Sequence, residues 1–303
     1  MKRNILIFTT LFLAAILVGC GDDSASSPSN DVVENDSVLG ICGKSNFGEI
    51  KSKNPAEYQA GDTTYYCSIA GWIDATHWSW DVPKEARLNP NIDYGTMTDG
   101  RDGQTYKTVK IGTQIWMAEN LNYDYKINGE SYGNWCYGDT ARYCAVAGHL
   151  YTWAAMMDTA STGCGFEVEC TVSAGRVRGV CPNGWHLPNT AEWNALFDAV
   201  GGKRTAGKAL KATSGWGENG NGTDAFGFSA FPSGYRDRDG NFSHTGDYAY
   251  FWSSAEDGTG SAYTMELAMY SVEAYYEGRC FSTGYGNGNS YKNYGYAVRC
   301  LRD

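Results

Sequence analysis

The chain reads as an α+β fold, with short helices early, an antiparallel β-sheet late, and disulfide staples. Three observations predict this. Trp193, Leu196, Phe197 and Val200 recur at the i, i+3, i+4, i+7 spacing of one apolar helix face. Beyond residue 225, short aromatic or β-branched runs alternate with Gly, Asn and Asp turns, the signature of short strands. Ten cysteines sit in a chain whose first residues carry the features of an export signal, and disulfides persist outside the cytoplasm. Helices grouped ahead of strands give the α+β order rather than the alternating α/β one.

At the N-terminus, Lys2 and Arg3 precede an uncharged, mostly apolar run from Ile5 to Val18. The run is too short for a spanning helix, which needs about 20 apolar residues. A positive start, a short apolar core and then small residues mark a secretory signal peptide, residues 1–19. Leu17-Val18-Gly19-Cys20 resembles the lipobox of bacterial lipoproteins, which implies cleavage before Cys20 and acylation of its sulfur. Several acyl chains anchor stably where one binds reversibly, so a membrane is the first expected partner. In such lipoproteins an aspartate after the cysteine often retains the protein at the inner membrane. Gly21 stands there in this chain, so the expected location is the outer membrane or cell surface.

Loss of residues 1–19 removes two positive charges and no acids, taking the formal net charge from -10 to -12. That balance, with no cluster of Lys and Arg, excludes binding through a nucleic-acid phosphate backbone. Residues 20–40 are acidic and rich in Ser, Asp and Asn, with too little apolar surface to offset the entropy of ordering, and they read as a disordered tether. Residues 41–97 hold Cys42, Cys67 and the aromatic stretch Trp72 to Trp80, interrupted later by Pro83 and Pro90. They read as a stapled N-terminal extension packed on the main domain, residues 98–303.

Within that domain, Thr105 to Ile111 and Gln114 to Glu119 form strands of a hairpin turning at Gly112-Thr113. His149 to Asp158 is a short helix, Thr190 to Val200 the clearest one, with Asn189 and Glu192 at capping-box spacing, and Lys203 to Ala212 a third. Phe226 to Phe231, Tyr248 to Ser253, Ala262 to Leu267 and Tyr294 to Leu301 read as the late strands. Short spacings suggest bridges Cys136–Cys144 and Cys164–Cys170, Cys42 with Cys67 would staple the N-terminal region, and Cys181 with Cys300 would close most of the C-terminal half. In the chain-entropy model a loop of about 100 residues contributes roughly 4.7 kcal/mol. Cys280 is then left over, as a buried free thiol, as half of an intermolecular bridge, or as a sign that the pairing differs. No Cys-x-x-Cys pair or neighbouring histidine supports metal ligation.

A family resemblance rests on ordered blocks. Asp102 to Gly112 (DGQTYKTVKIG), Trp116 to Asn122 (WMAENLN), Leu150 to Ala155, Gly179 to Pro188 (GVCPNGWHLP), Glu192-Trp193, Phe226 to Ala230, Phe251 to Ser254 and Val298-Arg299-Cys300 together resemble the Fibrobacter succinogenes major paralogous domain. The resemblance spans roughly residues 98 to 303. It implies a C-type lectin-like fold, related in architecture to formylglycine-generating enzymes and bacterial adhesins, in which a cysteine near the first helix pairs with one in the last strand. Cys181 and Cys300 suit that pairing. Members are often exported by fibre-degrading bacteria, so polysaccharide or other envelope proteins are the expected partners by analogy.

Candidate ligand residues lie on two Gly- and Asn-rich segments, Tyr235, Arg236 and Asp237 on one, Tyr285, Asn287, Tyr291 and Tyr294 on the other. Carbohydrate binders stack aromatic rings on sugar faces and add polar groups at the edges, and tyrosine does this at low conformational cost. The competing reading is that these are turns whose tyrosines pack at sheet edges. Trp185, Trp193 and Trp252 read as core. Asp237, Asp239 and Asn241 alternate like calcium ligands, but the closing glutamate of an EF-hand loop is missing, so the expectation is a tight polar turn. No catalytic residue or cofactor is assigned: the four histidines have no partner at a recognisable spacing, His186 reads as structural, and Cys280 stands apart from Cys300, unlike the cysteine pair of formylglycine-generating enzymes. The expected function is a non-enzymatic cell-surface binding module.

Overall fold

The computed structural model describes residues 35–36, 39–42, 44–52, 64–68, 71–172, 175–277, 279–280 and 288–303. Cys20, Tyr285 and Asn287 lie outside these, as do residues 1–19. The described chain opens on a two-residue antiparallel ladder, Asn35–Asp36 against Gly40–Ile41, and a three-stranded antiparallel sheet follows, β1 (Ile50–Ser52), β2 (Thr64–Ser68) and β3 (Gly71–Asp74). A Cys42–Cys67 bridge, Cα atoms 5.4 Å apart, ties the preceding chain to β2. Behind it Trp72 is fully buried.

This extension is joined to the rest by hydrogen bonds and ring stacking. Gly215 N–H and Asn221 Nδ2 both donate to the Thr76 carbonyl, at 2.8 and 3.2 Å. The Trp78 ring stacks on Phe231 at 5.9 Å and carries the buried Arg87 guanidinium at 4.6 Å.

The next strands are β4 (Gly95–Thr98), β5 (Thr105–Ile111) and β6 (Gln114–Met117). The predicted hairpin is β5–β6, turning at Gly112-Thr113. β4 adds an outer strand to it, so pairing into the main sheet starts at Gly95. Short helices follow, α1 (Ala141–Ala147) and α2 (Trp153–Met156), the second succeeded by a single helical turn at Thr159–Thr162. The single helix expected over 149–158 does not form. Leu150–Tyr151 instead pairs with Asn134–Trp135, and the helix begins only after Thr152, whose hydroxyl accepts from Ala155 N–H at 3.2 Å. Tyr151 also exchanges backbone hydrogen bonds with Tyr296, a tertiary pairing that overrides local helical pattern.

β7 (Trp185–His186) leads into α3 (Thr190–Ala199) and α4 (Lys203–Leu210). α3 carries a complete capping box: Asn189 Oδ1 accepts from Ala191 and Glu192 N–H, and Glu192 Oε2 accepts from Asn189 N–H at 2.9 Å. Its apolar face puts Trp193 against Trp116 at 4.7 Å.

Phe226 to Phe231, read as a strand, is a loop. Asp224 accepts from both the N–H and the hydroxyl of Ser229, at 2.7 and 2.6 Å, and draws Ser229 to φ 51°, outside strand geometry. The late strands are β8 (Ser233–Arg236), β9 (Phe242–Thr245), β10 (Tyr248–Glu256), β11 (Ala262–Ala268) and β12 (Tyr275–Glu277), and the chain ends in β13 (Leu301–Arg302).

Two five-stranded sheets result, β7-β13-β6-β5-β4 and β9-β8-β10-β11-β12. The late sheet is antiparallel except where β8 meets β10, at Gly234 and Ala249. The β8–β9 hairpin returns the chain along one side of β8, and the turn at Gly246 then sends β10 up the other side in the direction of β8. Strand alternation along β10 separates two cores. Tyr250 and Trp252 enter one with Tyr151, Trp153 and Tyr296, while Ala249 and Phe251 enter the other with Trp116, Trp193 and Phe228.

Residues 294–300 are not the continuous strand expected. They run between the sheets and pair with each neighbour in turn, Gly295 with Arg236, Tyr296 with Tyr151, and Ala297 with Phe251. Further bridges join Cys136 to Cys144, Cys164 to Cys170 and Cys181 to Cys300, the last between fully buried cysteines 119 residues apart. Among the described residues no helix is long and apolar enough to cross a membrane.

Loop-closure entropy ranks these bridges. Replacing Cys181 and Cys300 together by serine should lower unfolding stability by about 5 kcal/mol, and the same change at Cys136 and Cys144 by roughly half that. Urea unfolding of the two double variants checks the order.

Candidate binding surface

β8 positions Tyr235 and Arg236, and alternation sends them to opposite faces, while Asp237 lies just past its end. The Tyr235 ring lies 5.5 Å from His244, 5.6 Å from Tyr250 and 5.9 Å from Tyr294. Tyr294 in turn stacks with Tyr291 at 5.9 Å. Three predicted residues from two distant segments therefore meet in one row. The row continues through residues that the sequence reading did not single out. Tyr250 stacks with Tyr248 at 5.6 Å and Tyr296 at 4.9 Å, and the Tyr248 and Tyr270 hydroxyls are 2.7 Å apart. A signal was present, since Tyr248-x-Tyr250 and Tyr294-x-Tyr296 are period-two pairs that place both rings on one face. The row rises from buried Tyr296 through half-buried Tyr235, Tyr248, Tyr291 and Tyr294 to exposed Tyr270.

Arg236 leaves the row. Its guanidinium lies over Trp135 at 3.9 Å and near Phe242 at 5.7 Å. Asp237 is consumed by its turn. It accepts from Asp239 N–H, Asn241 N–H and Asn241 Nδ2 at 2.8 to 3.0 Å, closing the predicted polar turn. Desolvation would raise its pKa, but these donors outweigh it and hold the carboxyl below its ordinary range. The Cys280 backbone forms a two-residue ladder, Arg279–Cys280 against Gly288–Asn289, and its side chain is outside the described residues.

On the other side of Trp135 opens a cleft of about 780 Å³, lined by Arg101, Tyr123, Asp124, Cys136 and His149 among others. Arg101 is held over the Tyr123 ring at 3.7 Å by a 2.6 Å ion pair with Asp99 and a 2.9 Å hydrogen bond to the Val180 carbonyl. His149 Nε2 lies 4.0 Å from Cys136 Sγ, a neighbour that no reading of His149 as the opening of a helix anticipates. Burial pulls its pKa down to about 4, against the opposing pull of Asp124 and Asp102.

His186 is a structural clamp. Its Nε2 meets Glu192 at 2.9 Å and its Nδ1 meets Asp303 at 2.7 Å, tying the start of α3 to the chain end. Burial would lower its pKa, but the two carboxylates outweigh that and raise it.

A family model described as the Fibrobacter succinogenes major domain matches residues 109–302. The chain belongs to this family. No curated protein and no solved structure matches it. The Fibrobacter succinogenes major domain begins inside β5 and ends inside β13, so it contains the tyrosine row, Trp135 and His149, while Arg101 and the stapled extension precede it.

The two histidines give opposite pH dependences. The low folded pKa of His149 means that its contribution is complete above about pH 6.5, the unfolded value, and is lost as pH falls toward 4. Raised His186 contributes fully below that value and loses its contribution as pH climbs. Denaturant unfolding should therefore show a loss of about 2 kcal/mol from His149 between pH 7.5 and 5. His149→Asn should remove that part of the acid-side slope, and an unchanged slope would refute the assignment.

Proposed function

We propose that this chain is a lipid-anchored, cell-surface binding module that holds polysaccharide along its tyrosine row and performs no chemistry on it. The row carries the reading. Half-buried rings from β8, β10 and the 291–296 segment are fixed by mutual stacking yet reach the surface, which supplies flat apolar faces with hydroxyl edges at little entropic cost. A net charge near -12 after signal removal repels anionic chains, so a neutral glycan fits best.

The lipobox-like Leu17 to Cys20, Gly21 and the acidic stretch to residue 34 support an outer-membrane anchor and a tether that lifts the domain from the bilayer, while Leu39 already packs beside Trp72. A C-type lectin-like architecture is supported by the bridge from Cys181, ahead of β7 and α3, to Cys300, next to the final strand. A second reading, docking of an envelope protein, draws on Tyr270, which ends the row, and on Val272 two residues along the chain, 57% and 54% exposed.

Retention of the full chain on insoluble cellulose, competed by soluble neutral glycans, tests the first reading. Tyr235→Ala with Tyr294→Ala should weaken retention at least tenfold, whereas Arg238→Ala, on the adjacent exposed turn, should leave it unchanged. Failure to bind any glycan on an array would remove the proposal. For the anchor, Cys20→Ser should shift the protein from the membrane fraction to the soluble envelope fraction.

A further inference from the structure

Among the described residues, the Cys136–Cys144 bridge is the one with a histidine beside it. Cys136 follows the Asn134–Trp135 strand, Cys144 lies on α1, and His149 comes directly after the helix stop at Gly148. Gly148 brings the chain back at φ 75°, where a Cβ would fall 2.7 Å from the Leu121 carbonyl oxygen, so no larger residue fits this return. The imidazole thereby reaches the bridge. One ligand atom each from Cys136, Cys144 and His149 lie within 4.8 Å of one another.

The protonation of the imidazole is fixed by a relay. Asp102, an acceptor, takes Gln104 Nε2–H at 2.9 Å, so Gln104 turns its oxygen to Asn122 Nδ2 at 2.7 Å. Asn122 must then present Oδ1 to His149 Nδ1, at 2.9 Å, and Nδ1 carries the hydrogen. Nε2 keeps its lone pair, and that nitrogen faces the sulfur. This is the tautomer of a metal-ligating histidine, with its other nitrogen hydrogen-bonded to an outer group.

We infer that, when the Cys136–Cys144 bridge is reduced, these two thiolates and His149 Nε2 form a site for a soft or borderline divalent ion of the zinc class, open to the cleft. In a tetrahedral zinc site, ligand atoms sit about 3.6–3.8 Å apart, from metal–sulfur and metal–nitrogen bonds near 2.3 and 2.0 Å. His149 Nε2 is already 4.0 Å from Cys136 Sγ, and opening the bridge lets the sulfurs separate to the required span. A dithiol reductant supplies two electrons and two protons to the bridge and leaves as its own disulfide. Metal binding then releases the two thiol protons, while the neutral imidazole releases none. Half-buried Cys136 lines the cleft, so the fourth position faces solvent.

Cobalt(II) tests this on the full chain. The chain is reduced with a phosphine until alkylation mapping of an aliquot finds Cys136 and Cys144 free, and the phosphine is removed without oxygen before cobalt is added. The expected result is one cobalt per chain, with sulfur-to-metal charge transfer and tetrahedral ligand-field bands, and none in the oxidised chain. The Cys136→Ser, Cys144→Ser double variant, its other bridges and near-ultraviolet dichroism intact, should bind none. His149→Ala should bind at least tenfold more weakly with shifted ligand-field bands. Absence of cobalt binding by the reduced chain, equal binding by the double-serine variant, an unchanged His149→Ala spectrum and affinity, or a bridge that opens only when the fold is lost would each overturn the site.

Discussion

Arg299 is wholly buried and holds the two halves of the domain together through its guanidinium. Nε donates to Asn120 Oδ1 at 2.8 Å, Nη1 to the Met117 carbonyl at 3.2 Å and Nη2 to the Ser229 carbonyl at 3.0 Å, and the plane lies over Phe228 at 4.8 Å. Met117 ends the first hairpin, Asn120 follows it, and Ser229 sits in the loop that leads into the late sheet. Burial lowers the guanidinium pKa to about 9, partly opposed by Glu119 and Asp224, so the side chain remains charged near neutrality. A buried cation is tolerated only when its donors are satisfied, and here backbone carbonyls of separate elements do most of that work. Those carbonyls would be left dry without it. The side chain therefore fixes the loop geometry as well as the strand order.

The adjacent Cys300 makes the same seam covalent. Its bridge to Cys181 and the Leu301–Trp116 pairing insert the chain end between β6 and β7, while His186 receives the terminal Asp303. Each tie is made by a residue close to the C-terminus, and each reaches an element at least 100 residues earlier. Contacts of such separation carry a loop-closure entropy that the local hairpin and α3 do not. The seam closes both cores at once, because the 294–300 segment lies along β10, whose two faces they share.

Local pattern made the hairpin, α3 with its capping box, and the short-range cysteine pairs readable from sequence. Each depends on residues within a few positions of one another. What escaped depends on side chains answering distant partners. Phe226 to Phe231 has strand composition, but Asp224 captures Ser229 and turns the segment into a loop. His149 opens no helix because Leu150 and Tyr151 find strand partners at Asn134 and Trp135. Tyr235, Tyr291 and Tyr294 were singled out by composition, yet their union with Tyr248 and Tyr250 needs the parallel step from β8 to β10. Arg236 and Asp237 were read as members of the same surface, and strand alternation with a side-chain-capped turn directs them elsewhere.

The tyrosine row and the cleft are two sides of one wall. Trp135 lines the cleft and carries Arg236 on its ring, while the next residue along the chain from Arg236 toward the N-terminus, Tyr235, belongs to the row. Gly295 closes the wall from the C-terminal segment. A Cβ there would meet Arg236 Cβ at 3.1 Å, Leu150 Cβ at 3.4 Å and the Trp135 ring at 3.7 Å, so even alanine would push the wall apart. The backbone between Tyr294 and Tyr296 thus sets the spacing of both surfaces. Because Gly295 exchanges hydrogen bonds with Arg236 in both directions, a displacement of the cleft wall must move β8 with it. In this arrangement the rings of the row inherit their rigidity from the seam and not from the loops that bear them.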